Sequence, residues 1–86
     1  MKELKETADL MSSVDYKDRF AAEYYQLETR YLKLKDMLDA WDKGRLNFKP
    51  TCPREIYDRQ TAAMAQYLDV LAERAELENV ELVKSI

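Results

Sequence analysis

Histidine is absent from the 86 residues, cysteine and glycine occur once each, and proline occurs twice. Without histidine, no Ser-His-Asp or Cys-His catalytic arrangement can form, nor any mixed His/Cys zinc site. Cys52 stands alone and cannot close an intramolecular disulfide, so nothing points to an oxidising compartment. At a helix start it could be an activated thiol, but with no base a capping or structural role is the plainer reading. No Asp-x-Asp-x-Asp-Gly loop and no Glu-x-x-His pair occurs. We therefore expect a non-enzymatic chain with no metal and no cofactor. Long apolar runs are lacking too. Nothing approaches the roughly 20 residues of a membrane span, and the mean hydropathy is -0.62. The opening MKELKETADLMSS has no apolar signal core, so no secretion signal is expected.

What is present is charge and periodicity. Charged residues make up 36% of the chain and hydrophobic ones 47%, the balance of long amphipathic helices. The net charge of -3 makes nucleic acid a poor partner, because phosphate binding needs a surplus of lysine and arginine. The charge is unevenly placed. Basic residues outnumber acidic ones between Arg30 and Arg59, whereas the last stretch carries Asp69, Glu73, Glu76, Glu78 and Glu81.

Three helical segments are predicted. Met1, Leu4, Ala8 and Met11 fall at helical spacing, giving a short helix at about 2–11. Ser12, Ser13 or Asp15 could cap the next. From about 15 to 43, Phe20, Tyr24, Leu27, Tyr31, Leu34, Leu38 and Trp41 recur with spacings alternating four and three, a heptad seam. Gly44 sits where a left-handed helix cap belongs. An extended loop is expected over 44–52, with Leu46 and Phe48 as anchors, and Pro53 fits the first turn of a third helix over about 53–82, capped by Thr51 or Cys52. This helix carries two neighbouring apolar stripes. One holds Ile56, Ala63, Tyr67, Val70 and Leu77; the other holds Tyr57, Met64, Leu68, Leu71, Ala75 and Leu82. One antiparallel partner covers one stripe, so the other must meet the short helix, a second subunit or a ligand. Val80, Leu82, Val83 and Ile86 form an apolar tail. The expected fold class is all-α: an antiparallel helical hairpin with a short N-terminal helix, one domain over 1–86, forming a homo-oligomer.

Candidate contact residues follow from that layout. Tyr24, Tyr31, Trp41, Met64, Tyr67, Leu68 and Leu71 read first as core or oligomer seam, although the aromatics among them, with Tyr25, could stack nucleobases while Arg30, Arg54 or Arg74 meets the phosphates. Tyr25 lies off the seam and is expected to face a partner. Arg45 and Arg54 belong to a basic hairpin tip that could meet an acidic surface; ordinary solvation is the plainer reading. Arg74 lies among apolar positions, where it could hold a carboxylate or an anionic ligand, or simply snorkel its head into water.

Three runs are distinctive: 16–27 (YKDRFAAEYYQL), 41–53 (WDKGRLNFKPTCP) and 67–76 (YLDVLAERAE). Together they resemble small phage and prophage proteins related to a crAss-like phage protein family, over roughly 16–82. The resemblance implies a phage origin and residence in the cytoplasm of the bacterial host. It implies first a binding protein that inhibits a host antiviral defence system by direct contact with a host defence protein; an oligomeric sponge for a cyclic-nucleotide second messenger is the alternative. A structural or replication accessory is a further alternative.

Overall fold

Asp15 begins the longest element. Its backbone is extended, and its carboxylate accepts the Lys17 amide at 2.9 Å, satisfying one of the free N–H groups of a helix start. The computed structural model describes residues 4–82. These form α1 (Leu4–Met11), α2 (Tyr16–Asp42) and α3 (Arg54–Leu77). No strand occurs among the described residues. The expected starts of the short helix at residue 2 and of its stripe at Met1, and the tail residues Val83 and Ile86, lie outside them.

Both long helices end in the same way. After α2, Gly44 takes φ 69°, its amide donates to Trp41 O at 3.0 Å, and the Arg45 amide donates to Ala40 O at 2.8 Å. After α3, Asn79 takes φ 57°, its amide donates to Glu76 O at 3.4 Å, and the Val80 amide donates to Ala75 O at 2.8 Å. Each is a left-handed closure that satisfies the last carbonyls and stops the helix. The Asn79 closure corrects the expectation that the third helix runs to 82. Asparagine tolerates this conformation better than most residues, and the turn returns Val80 to the core at 7% exposure. The start of α3 differs as well. Pro53 itself is the cap, with extended backbone and no side-chain capping bond, in place of Thr51 or Cys52.

The helices α2 and α3 pack antiparallel. The start of α2 meets the end of α3 where Tyr16 donates to Glu78 at 2.8 Å, and the end of α2 meets the start of α3 where Trp41 stacks edge-on with Tyr57. The core lies toward the first of these ends: Phe20, Tyr24, Tyr25, Leu71, Ala75 and Val80, with Leu10, Leu27, Leu68 and Leu82 packed against it. Of the two stripes on α3, the one carrying Leu68, Leu71 and Ala75 therefore faces inward.

The short helix α1 packs on α2 and makes no close approach to α3. It turns inward a different face from the one its apolar spacing indicated. Thr7 is fully buried and Leu10 reaches the core, while Ala8 and Met11 are exposed. Burying the Thr7 hydroxyl is tolerable because it donates to Leu4 O at 2.6 Å and accepts the Gln26 amide at 3.0 Å.

Candidate functional site

Because α1 and α3 both lean on α2 with no close backbone approach to each other, α2 has two flanks between them. One is filled. Tyr25 lies on it at 4% exposure, edge-on to Tyr24, in a cluster completed by Leu10, Val80 and Leu82. The expectation of Tyr25 as a surface contact is thereby corrected. Its position off the seam was real, but α1 and the turn after α3 cover that side of α2.

The other flank is open. Its floor is Arg19, Glu23, Gln26 and Arg30, spaced four, three and four apart, which places them on one face of the helix. Met11 of α1 forms one wall and Tyr67 of α3 the other, with Leu27 beneath, and together they enclose a cleft of about 450 Å3. That volume lies within the range of small-molecule sites.

Each side chain in the cleft has a distinct chemistry. Arg19 donates to Ser13 O at 2.8 Å, which anchors one end of its fork. Arg30 is exposed and has no hydrogen-bond or ion-pair partner among the described residues. The two guanidiniums sit eleven residues apart in sequence, about 16 Å along the helix. Tyr67 donates its hydroxyl to the Glu23 carboxylate, and this bond holds the phenol above its ordinary pKa, so it remains a protonated donor. The Tyr67 ring stays 45% exposed. Gln26 is oriented by Thr7. The cleft thus offers two separated cations, one aromatic face and one carboxylate acceptor. Two arginines against one glutamate leave it net positive.

Of the residues expected to bind a partner, Arg45 and Arg54 share the hairpin tip, whereas Tyr25 and Arg74 lie elsewhere. Arg54 closes the hairpin tip: it donates to both carboxylate oxygens of Asp42 and, at 2.9 Å, to Asp58, and it lies 5.5 Å from the Trp41 ring centre. Arg45 pairs with Asp39 at 3.5 Å near the same tip. Arg74 is at the opposite end, bonded to Glu78 at 3.0 Å and to the Tyr16 hydroxyl at 2.8 Å, and it covers the Phe20 ring at 4.8 Å. Among the seam residues, Phe20, Tyr24, Leu38 and Leu71 are buried, and Leu27, Tyr31, Leu34, Trp41, Met64 and Leu68 are half-buried. Tyr67 is the exposed member, and it lines the cleft together with Leu27. Sequence reading passed over Arg19, Glu23 and Gln26, and it offered Arg30 only as one of three arginines that could meet a phosphate. Their signal was a polar stripe in the same four-three rhythm as the apolar seam, one residue behind Phe20, Tyr24, Leu27 and Tyr31.

A family model described as Sequestin matches residues 14–77. The chain belongs to the Sequestin family. The match contains α2, α3 and every cleft residue except Met11, and it leaves out α1. No curated protein and no solved structure shows significant similarity to the chain. No helix among the described residues is long and apolar enough to cross a membrane, and no group of three metal-ligating side chains occurs among them.

Proposed function

We propose that this Sequestin-family protein is a non-catalytic sponge that binds and withholds a cyclic-nucleotide immune signal, in the setting of phage infection and in the cytoplasm of the bacterial host. The single observation that carries the reading is the cleft in which Arg19 and Arg30 flank the exposed face of Tyr67. A guanidinium is suited to phosphate because its planar fork donates in pairs. An aromatic face accepts any nucleobase by stacking. Glu23 can accept an N–H or a ribose O–H, and two cations this far apart suit a ligand with more than one phosphate. The family name, Sequestin, suggests a sequestering role and agrees with this reading.

Withholding a signal needs affinity without chemistry. The cleft supplies that in a simple way: it orders Gln26 through Thr7 and Arg19 through Ser13 before any ligand arrives, which lowers the entropy lost on binding. Direct contact with a host defence protein is the weaker reading, because Arg54 and Arg74 are occupied within the chain and Tyr25 is buried.

Titration calorimetry against a panel of cyclic mono- and dinucleotides tests the proposal. The expected result is saturable binding of at least one compound, recovered chemically unchanged after the protein is denatured. Binding that survives Arg19→Ala and Arg30→Ala together would remove the cleft from the account, and hydrolysis of the bound compound would remove the sponge.

A further inference from the structure

The outward stripe of α3 remains uncovered. Ile56, Ala63, Val70 and Leu77 recur every seven residues. Ile56 is 43% exposed, Val70 49% and Leu77 78%, and Ala63 is exposed between them. A strict seven-residue repeat drifts by only about 20° per heptad on a straight helix, so these side chains stay on one face. The stripe also reads nearly alike in both directions. Its bulky members, Ile56 and Leu77, stand at the ends, with Ala63 and Val70 between. Charge reverses along it: Arg59 lies near the start and Glu73 near the end, and neither has an ion-pair partner among the described residues. Ala62 and Ala63 border a shallow groove on this face, where another helix can approach closely.

A surface that is self-complementary on reversal is what a two-fold axis requires. We propose that this face of α3 is an antiparallel, two-fold interface with a second copy of the chain. Pairing centred near residue 66 sets Ile56 against Leu77 of the second copy, Ala63 against its Val70, and Arg59 against its Glu73. The heptad stripe supplies the packing, and the opposed charges select the antiparallel direction over the parallel one, which would set Arg59 against Arg59.

Sedimentation equilibrium of the full chain tests this without any ligand, so the interface stands or falls separately from the sponge. The expected mass is twice the chain's 10.2 kDa, reduced to 10.2 kDa by Val70→Glu with helix content retained. Arg59→Glu and Glu73→Arg should each weaken the dimer by about tenfold or less, as single exposed pairs do, and the two together should restore it. A wild-type chain that remains monomeric overturns the proposal and gives the stripe to a different protein. A dimer that ignores Val70→Glu, or a double charge swap no better than either single one, overturns the assigned face and direction.

Discussion

The two flanks of α2 are built from the same helix and bounded by the same neighbours, yet one is closed and the other open. On the closed side Tyr25 fills the space, with Leu10, Val80 and Leu82 gathered against the same cluster. On the open side Arg19, Glu23, Gln26 and Arg30 keep the space clear, because long polar and charged side chains lose too much hydration to be packed over. A small helical protein can thus separate stability from binding by the residues it places on each side of one helix. The filled flank holds the fold, and in our proposal the polar flank is left for a ligand.

The largest expected effect breaks the filled flank. Tyr25→Ala removes a ring that is 4% exposed and should destabilise the chain by about 3–5 kcal/mol in urea unfolding. A change within about 0.5 kcal/mol, as for an ordinary surface residue, would mean that this flank is open too. Thr7→Val comes next. It keeps the shape of a fully buried side chain but removes the hydroxyl that receives Gln26. The expected loss is about 1–3 kcal/mol, seen as faster amide exchange in α1 and weaker ligand binding, because α1 is one wall of the cleft.

Much of this was legible in the sequence. The Phe20 to Trp41 heptad required a long partnered helix, Gly44 marked its end, and the two stripes of α3 were both visible as periodicities. Less legible were features set by tertiary context. Nothing in the local pattern says that Asn79 will take a left-handed conformation, a turn that here returns Val80 to the core. The position of Tyr25 on the helical wheel was right, but its burial depends on where α1 docks. That docking uses Thr7 and Gln26, two polar residues that an apolar-periodicity reading discounts. The cleft was missed for the same reason. Its floor is periodic in polar residues, and a charged stripe ordinarily signifies a solvated face.

Arg30→Ala sharpens the comparison from the other side. Stability should change by no more than about 0.5 kcal/mol, while affinity for the bound nucleotide should fall at least tenfold in calorimetry. An equal loss of stability and affinity would show that the open flank is structural after all.

The smallest effect lies away from both flanks, at the hairpin tip. The hydrogen bonds from Arg54 hold the Asp42 carboxyl below its usual range. A depressed folded-state pKa contributes stability above the ordinary carboxylate value, about 4, and that contribution is lost as the pH falls through the depressed value. Trp41 is the single tryptophan and lies beside Arg54. Its fluorescence should therefore change on acidification below the ordinary carboxylate range, and Asp42→Asn should abolish the change. An unaltered titration in that variant would assign the transition to another carboxylate.

Native mass spectrometry of the protein purified gently from bacteria with an active nucleotide-signalled defence tests the central claim most directly. The sponge predicts a species carrying the additional mass of an intact nucleotide, absent from the Arg19→Ala, Arg30→Ala double variant. Wild-type protein that emerges from such cells without ligand, or bound instead to a host protein, would contradict it.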